Sequence, residues 1–327
     1  MIHLFLMNTA EHDVRKTDSW SGKPSDQLHR STAQNRYNVS TCAITMATYG
    51  VIGCGYVGSD VAVLMKAGGH HVVGTTRSAE RIPELRELVH EAHQVDLTDP
   101  DGDLSFLDDL DGLLISVAPT QQGEGYRSVF AQGISRLGRA LRRRTNDRPL
   151  HVTLISSTGV YGDQQGQAVD EESQLDTSNP INALLASAED QLLSIDRPDT
   201  GICVLRLGGI YGPGRDMVAM IQRAAGQQVP KNGNAVPAWS GILDITQGVA
   251  FAFRHNLQGI YNLVDDMQLS RRELSTLICD RDGLPPVLWG HSEPNGSRML
   301  NARVSNRKIK DAGFRFSSPS MLEAVKV

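Results

Sequence analysis

The sequence predicts an α/β protein with a doubly wound parallel Rossmann sheet and a smaller C-terminal lobe. Three observations support this fold class. Short apolar runs recur from Tyr49 onward, as expected for strands that are buried on both faces of a sheet. Helical stretches separate most of these runs, which is the pattern of parallel β-α-β units. A glycine-rich turn joins the first run to the first helix. The apolar runs are YGVIG, HHVVGTT, EAHQVDL, GLLISVAP, HVTLISS and ICVLRLGG.

The chain divides into three regions by composition. Residues 1–46 are polar and without sustained periodicity, so we expect a disordered extension and a functional chain that starts near Met46. Residues 47–212 carry the alternating pattern of an NAD(P)-binding Rossmann domain. Residues 213–327 contain more Gly, Pro and Asn, and we expect a smaller substrate lobe with some segments that return to the Rossmann sheet.

The composition excludes several classes of protein. The net charge of −5 over 327 residues gives no field that would attract nucleic acid or an anionic membrane. No apolar run approaches the roughly 20 residues that span a bilayer. The four cysteines are scattered without a Cys-x-x-Cys pair, and the ten histidines show no ligand spacing, so we expect neither disulfides nor a metal site. A cytoplasmic protein with reduced thiols fits best.

The first strand and helix are joined by Gly53-x-Gly55-x-x-Gly58 in the stretch YGVIGCGYVGSDVA. The pattern alone is weak, but here it has the strand before it and the helix after it that a dinucleotide site needs. Gly53 permits a tight turn, Gly55 allows a diphosphate to approach the backbone, and Gly58 lets helix and strand pack closely. Tyr56 and Val57 lie at the start of the helix, where free N–H groups favour phosphate. The alternative is a strand-to-helix turn without a ligand.

The end of the second strand bears on the choice of cofactor. NAD-binding folds usually place an acidic residue there, which binds the ribose hydroxyls. This chain has Thr75, Thr76 and Arg77 instead, and a guanidinium suits a 2′-phosphate. The sequence therefore predicts NADP, with NAD less favoured. The alternative is that Arg77 is a solvated loop charge.

Two further strand ends supply candidate cofactor contacts. Asp96 and Leu97 are predicted to close the third strand, and Val117, Ala118 and Pro119 to close the fourth. Open α/β sheets bind ligands at the carboxyl ends of their strands. Asp96 could accept a hydrogen bond from an adenine amino group, or it could simply cap a turn.

Five motifs occur in one order along the chain: LISSTGVYG (154–162), VDEES (169–173), VLRLGGIYGPGR (204–215), GIYNLVDD (259–266) and RVSNRKIKDAGFRF (303–316). Together they resemble the extended and atypical short-chain dehydrogenase/reductases, the NAD-dependent epimerase/dehydratase family. The resemblance runs from about Ala47 to the C-terminus. It implies a Rossmann sheet with a small substrate lobe. Family members oxidise, epimerise, dehydrate or reduce sugar nucleotides and related alcohols or carbonyls, so it also implies a small-molecule substrate of that kind.

The resemblance implies roles for particular residues. Ser157 falls on the family's catalytic serine or threonine, whose hydroxyl would hydrogen-bond a substrate oxygen, and Ser156 and Thr158 beside it could share this role. Tyr161 is a second catalytic candidate, although a packing role suits it better. Gly209 falls where the backbone meets the nicotinamide. Arg215 is either a contact to an anionic substrate or a structural loop residue. Because family members often pair through two helices of the Rossmann domain, a homodimer is also implied.

The family's proton donor and its partner are missing. The family carries Tyr-x-x-x-Lys on the helix after the serine strand, often with a glutamate four residues later. Glu189 fits that glutamate, which places Leu185 at the lysine position and Ile181 at the tyrosine position. No Tyr or Lys occurs between Gly162 and Arg197.

Two hypotheses about function follow from this loss. The chain is an NADP-dependent oxidoreductase or epimerase-like enzyme with altered proton chemistry, or it is a non-catalytic NADP(H)-binding regulatory or scaffold protein. For the enzyme, the sequence leaves open whether a proton comes from Tyr126, Tyr161, His151 or water.

Overall fold

The structure is a computed structural model that describes residues 46–119, 124–293 and 299–324. Apart from Met46, the extension predicted to be disordered lies outside these residues. The strands are β1 Thr48–Ile52, β2 His71–Thr76, β3 Glu91–Gln94, β4 Gly112–Ile115, β5 Leu150–Ser157, β6 Asp163–Val169, β7 Thr200–Leu207, β8 Gly209–Tyr211, β9 Gln228–Asn232, β10 Trp239–Gly241, β11 Gly259–Leu263, β12 Leu288–Gly290 and β13 Asn301–Val304.

The helices fill the connections. The α-helices of five or more residues are α1 Tyr56–Ala67, α2 Ile82–Leu88, α3 Ile134–Arg142, α4 Pro180–Leu193, α5 Met217–Ala224, α6 Ile242–His255, α7 Arg271–Asp282 and α8 Arg307–Asp311, and Glu124–Tyr126 and Met321–Ala324 are shorter helices. A π-helical segment, Arg127–Gly133, leads into α3, and a 3₁₀ turn, Thr158–Tyr161, follows β5. None of the helices in the described ranges is long and apolar enough to cross a membrane.

Seven strands form one parallel sheet in the order β11-β7-β5-β4-β1-β2-β3. The chain runs outward from β1 through β2 to β3 and then returns to β4 on the other side of β1. This reversal places a crevice beyond the carboxyl ends of β1 and β4, where open α/β sheets bind ligands. The predicted fold class is confirmed. β11 comes from beyond residue 213 and occupies an edge of the sheet beside β7.

Apolar side chains cover both faces of the sheet. On one face α3 and α4 bury residues such as Leu137 and Leu185 against the strands. On the other face α1 and α6 bury residues such as Val61 and Val249. A separate apolar cluster joins α5 and α7 to β9 and β12 and forms the core of the lobe. The sheet thus has the helix-covered faces that its continuous apolar strands require.

Two strands end earlier than the sequence suggests. β3 ends at Gln94 and β4 at Ile115, so Asp96, Leu97 and residues 117–119 follow the strands rather than close them. The reason at β3 is local. Oδ1 of Asp96 accepts hydrogen bonds from the backbone N–H and the hydroxyl of Thr98, both at 2.8 Å, and this turn takes the chain away from β2.

Candidate functional site

The turn between β1 and α1 depends on its three glycines in different ways. Gly53 has φ of +92°, and a Cβ there would lie 2.6 Å from the carbonyl oxygen of Ser116. A Cβ on Gly58 would lie 2.2 Å from the carbonyl oxygen of Gly53, because helix and strand are in close contact. A Cβ on Gly55 would meet no protein atom within 4 Å. Gly53 and Gly58 therefore serve the fold, whereas Gly55 faces open space.

This space is a cavity of about 400 Å³ at the sheet reversal. Its wall combines the glycine turn, the end of β2, the segments after β3 and β4, and Ile155 and Ile210 from β5 and β8. Most of the predicted cofactor residues line it: Gly53, Gly55, Tyr56, Val57, Thr76, Arg77, Asp96, Leu97, Val117 and Ala118. Residues from four separate segments of the chain thus meet around one concave site.

Three predicted cofactor residues do not line the cavity. Gly58 is buried in the contact between helix and strand. Gly209 packs against the ring of Trp239, where a Cβ would lie 2.9 Å from the ring carbons. Pro119 follows Ala118 but is not part of the wall. For Gly58 the packing role is the one that the sequence motif predicts.

The basic side of the cavity contains two arginines. Arg77 is exposed directly after β2, and its guanidinium makes no salt bridge or hydrogen bond within the described residues. Arg81 also lines the cavity, and its Nη1 donates to the carbonyl oxygen of Cys54 at 3.0 Å. Arg81 was not among the residues predicted from the sequence, although a second arginine four residues after Arg77 could have suggested it. Ser78 lines the cavity beside them and donates its hydroxyl to Glu80 at 2.5 Å.

Asp96 forms a turn and also lines the cavity. Its Oδ1 is occupied by the turn at Thr98. The residue nevertheless lines the cavity next to Leu97. The two interpretations are therefore compatible, since a carboxylate has a second oxygen that can accept a hydrogen bond.

The three hydroxyl groups at the end of β5 differ in what they bind. Ser156 donates its hydroxyl to Glu189, and Thr158 donates to the carbonyl oxygen of Leu207 at 3.2 Å. Ser157 accepts a hydrogen bond from the backbone N–H of Gly159 at 3.1 Å, and it donates none within the described residues. It is half-buried and lies on the same strand face as Ile155, two residues earlier, which lines the cavity. Of the three, Ser157 alone donates no hydrogen bond within the described residues, and it is not itself part of the cavity wall.

Tyr161 lies in the core and does not line the cavity. Its side chain is fully buried, and its hydroxyl donates to Oδ1 of Asn262 at 2.8 Å and accepts from Nη1 of Arg206 at 3.0 Å. Burial raises the pKa of Tyr161. Arg206 also forms a buried salt bridge with Glu189 at 2.6 Å. We call Ser156, Tyr161, Glu189, Arg206 and Asn262 the polar core network.

Helix α4 carries no proton chemistry at the two expected positions. Asn179 begins it by accepting hydrogen bonds from the N–H groups of Ile181 and Asn182, with Pro180 in the first turn. Leu185 is buried in the core beneath the sheet, and Ile181 packs against the same cluster. The helix therefore serves packing at these positions and contributes only Glu189 to the polar core network.

The other candidate proton donors lie elsewhere. His151 is at the start of β5, six residues from Ser157, which is roughly 20 Å along a strand. Its Nε2 lies 2.7 Å from the carbonyl oxygen of Leu257, and burial lowers the pKa of its ring. Tyr126 stacks on Phe130 in the segment that leads into α3. Neither side chain lines the cavity.

A second cavity of about 740 Å³ lies beside the first. It is bordered by α1, the loop after β8, the start of α6 and residues 317–323, and it includes Tyr211 and Asp244. Arg215 belongs to the walls of both cavities. In the part of the chain that the structure describes, no group of three or more His, Cys, Asp or Glu side chains is placed to hold a metal ion.

The curated relatives include a protein of similar length without an assigned activity in its name. This is Protein YeeZ of Escherichia coli strain K12, which is 25% identical over 285 residues that cover 85% of this chain and 98% of that protein.

Two solved structures are similar over most of their length. A putative NAD-dependent epimerase/dehydratase from Methylobacillus flagellatus is 25% identical, with a TM-score of 0.67 over 86% of this chain and 97% of that one. The dTDP-glucose 4,6-dehydratase DesIV from Streptomyces venezuelae, solved with NAD bound, is 17% identical, with a TM-score of 0.67 over 85% and 95%. At this low identity the second similarity concerns the fold alone.

The profile of the NAD dependent epimerase/dehydratase family matches residues 51–263. This range begins inside β1, takes in the glycine turn and the cavity, and ends with β11 at the edge of the sheet. Sequence motifs, sheet order and profile agree, and the chain belongs to the NAD dependent epimerase/dehydratase family.

Proposed function

We propose that this protein binds NADP(H) in the 400 Å³ cavity and acts as an oxidoreductase on a sugar-nucleotide, alcohol or carbonyl substrate. The observation that carries the proposal is the open space in front of Gly55. A Cβ would project into it without touching protein, at the first turn of a helix whose N–H groups favour phosphate. The absence of a side chain at Gly55 leaves the backbone accessible to a diphosphate.

The preference for NADP rests on charge. The wall residues at the end of β2 are Thr75, Thr76, Arg77, Ser78 and Arg81, with no carboxylate among them. A carboxylate there would bind ribose hydroxyls and repel a 2′-phosphate. Arg77 instead supplies an exposed guanidinium without a partner among the described residues. The structural neighbour DesIV was solved with NAD.

Ser157 is the residue we assign to the substrate. When bound, NADP(H) supplies hydride transfer. The hydroxyl of Ser157 is held by the N–H of Gly159 and has its hydrogen available, so it can donate to the oxygen of a carbonyl or alcohol. The proton would come from water, because the hydroxyl of Tyr161 is hydrogen-bonded to Arg206 and Asn262 in the core.

A non-catalytic NADP(H)-binding role is the second candidate. It is favoured by the apolar side chains of Ile181 and Leu185 at the positions of the family's tyrosine and lysine. Burial of Tyr161 removes one of the alternative acids. Both candidates need the same cavity, so binding and turnover must be measured separately.

The first experiment is a fluorescence titration with NADPH and, separately, with NADH. We expect NADPH to bind at least about tenfold more tightly, and Arg77→Met to abolish this difference, because a charge-assisted hydrogen bond to phosphate contributes roughly 1.5–3 kcal/mol. Arg86→Met is the matched control, since Arg86 is an exposed arginine on α2 outside the cavity wall. Equal affinities would refute the NADP preference, and no binding of either would refute the dinucleotide site.

The second step separates the two candidates. Wild type and Ser157→Ala, each with NADPH, are tested against ketones and nucleotide-diphosphate sugars by the loss of absorbance of the reduced cofactor. Turnover that falls in Ser157→Ala while NADPH affinity is unchanged supports the enzyme. Tight NADPH binding without turnover on either substrate class supports the non-catalytic candidate.

A further inference from the structure

The loop between β8 and α5 is fixed against the cofactor turn. Its ends are joined by two backbone hydrogen bonds, from the N–H of Arg215 to the carbonyl of Gly212 at 2.8 Å and in the reverse direction at 3.3 Å. Gly212 has φ of +145°, and a Cβ there would lie 2.4 Å from Ile242 and 3.0 Å from the hydroxyl of Tyr56. This close approach leaves the loop little freedom next to α1.

Tyr56 connects this loop to the glycine motif. It is the first residue of α1, directly after Gly55. Its hydroxyl donates to the carbonyl oxygen of Pro213 at 2.9 Å, and the guanidinium carbon of Arg215 lies 4.0 Å from the centroid of its ring. A cation over the face of an aromatic ring is held by the ring quadrupole. Arg215 is therefore held beside the helix N-terminus that the diphosphate would approach.

The guanidinium of Arg215 has no polar partner in the part of the chain that the structure describes. Within the described residues it forms neither a salt bridge nor a side-chain hydrogen bond, although the side chain is half-buried. Arg206 and Arg271, by contrast, are both paired with carboxylates. A guanidinium has five N–H donors, and a half-buried one without an acceptor is suited to an anionic ligand.

We propose that Arg215 binds the diphosphate of the dinucleotide, so that the loop leading into the lobe holds the cofactor together with the backbone of the glycine turn. Arg215 shares the wall of the 400 Å³ cavity with Gly55, Tyr56 and Val57. Tyr56 is a positioning residue that aims the guanidinium. The inference rests on the proposed function, because it requires the cavity to take a dinucleotide.

A diphosphate is also part of a second class of ligand, the nucleotide-sugar substrates. Arg215 also lines the 740 Å³ cavity, whose size suits a small-molecule ligand. The diphosphate of a nucleotide-sugar substrate would meet the same cation there. That cavity, however, also contains Asp216, Asp244 and Glu323, whose carboxylates repel an anion, whereas the glycine turn offers helix N–H groups. The charges therefore favour the cofactor diphosphate.

The test uses two fragments of the cofactor, measured by calorimetry on the full chain. ADP contains a diphosphate without a 2′-phosphate, and adenosine 2′-monophosphate contains a 2′-phosphate without a diphosphate. We expect Arg215→Met to weaken NADPH and ADP roughly tenfold to a hundredfold and to change adenosine 2′-monophosphate by less than about twofold. Arg77→Met should weaken NADPH and adenosine 2′-monophosphate and leave ADP unchanged.

Three further variants complete the design. Arg215→Lys should recover part of the ADP affinity, because it keeps the charge but not the planar fork. Tyr56→Leu should weaken ADP more than Tyr56→Phe does, since phenylalanine keeps the ring beneath the cation. Arg223→Met, at an exposed arginine on the nearby α5, is the matched control and should change nothing.

The outcomes distinguish this inference from the proposed function. If wild type binds neither NADPH nor ADP, the proposed function fails. If wild type binds both and Arg215→Met retains full ADP and NADPH affinity, the inference alone is overturned. A loss of UDP-glucose binding in that variant, with ADP unaffected, would assign Arg215 to the substrate diphosphate instead.

Discussion

The glycine turn with its arginines and the polar core network both lie at the carboxyl ends of the strands of one sheet. They differ in whether their charged side chains are paired. In the network the guanidinium of Arg206 pairs with Glu189, and its Nη1 also binds Tyr161. Around the glycine turn, Arg77 and Arg215 have no carboxylate partner within the described residues. The first region satisfies its charges internally, whereas the second leaves cations that suit an incoming anion.

This difference has a physical basis in burial. Arg206 and Glu189 are each about 2% exposed, so a missing partner would cost several kcal/mol of folding free energy. The cations beside the cavity remain in contact with water, and their hydration offsets most of the free-energy cost of being unpaired. A protein can therefore keep unpaired charge only where solvent or a ligand reaches it. The comparison predicts that changes in the network reduce stability and changes at the turn reduce ligand affinity.

The largest effect is expected from Arg206→Met. It leaves Glu189 buried without its cation and removes a donor from Tyr161, so the free energy of unfolding should fall by about 3–5 kcal/mol. Urea denaturation measures this. The double variant Arg206→Met/Glu189→Leu should recover most of the loss, because no buried charge then remains.

The same variant also tests the comparison through binding. Folded Arg206→Met protein should retain its NADPH affinity, whereas Arg215→Met should unfold at the wild-type urea concentration. A loss of stability under about 1 kcal/mol in Arg206→Met would show that the buried pair is not important for the fold.

The second prediction separates the glycine needed for folding from the glycine needed for ligand binding within the glycine turn. Gly58→Ala places a Cβ against the carbonyl oxygen of Gly53, and such overpacking should cost about 1–3 kcal/mol. Gly55→Ala meets no protein atom, so its free energy of unfolding should stay within about 0.5 kcal/mol of wild type. NADPH titration should nevertheless show strongly reduced binding for Gly55→Ala, because the methyl group occupies the ligand's space. Normal NADPH binding by Gly55→Ala would mean that the diphosphate lies elsewhere.

The parts predicted from sequence are those with local causes. Buried parallel strands, amphipathic helices and the glycine turn each produce a sequence pattern within a few residues. The other predicted wall residues lie at or after the ends of strands, and a parallel sheet places the carboxyl ends of its strands next to the glycine turn. Arg81 was missed because its contact with the carbonyl of Cys54 joins two turns that are 27 residues apart. The early ends of β3 and β4 depend on turn hydrogen bonds such as that of Asp96.

Tyr161 shows why the chemistry was harder to predict. Its place in VYG suggests the cleft, but its side-chain direction is set by Arg206 and Asn262, which are 45 and 101 residues away. One signal was present in the sequence. Arg206 interrupts the apolar strand run ICVLRLGG, and a charged residue in a doubly buried strand requires a buried partner. That partner is Glu189, on α4.

Asp265 provides a pH-dependent test, because its buried carboxyl group has no cation as partner among the described residues. It is 3% exposed, and its carboxylate accepts hydrogen bonds from Tyr211 and from the N–H of Met267, both at 3.1 Å. Burial nevertheless raises its pKa from 3.8 to about 7. The folded state therefore binds this proton more tightly than the unfolded state does. Its stabilising contribution is complete below about pH 4 and is lost as the pH rises through about 7.

Asp265→Asn isolates this contribution, since the amide stays neutral. Between about pH 4 and pH 7, wild type should lose stability relative to Asp265→Asn by at most roughly 1.4 kcal/mol per pH unit, and the difference should level off at higher pH. Urea denaturation of both proteins across this range measures it. Parallel profiles would mean that the Tyr211 and Met267 hydrogen bonds hold the carboxylate charged despite its burial. In that case hydrogen bonds alone can satisfy a buried charge here, and the salt bridge of the polar core network would not be required by burial.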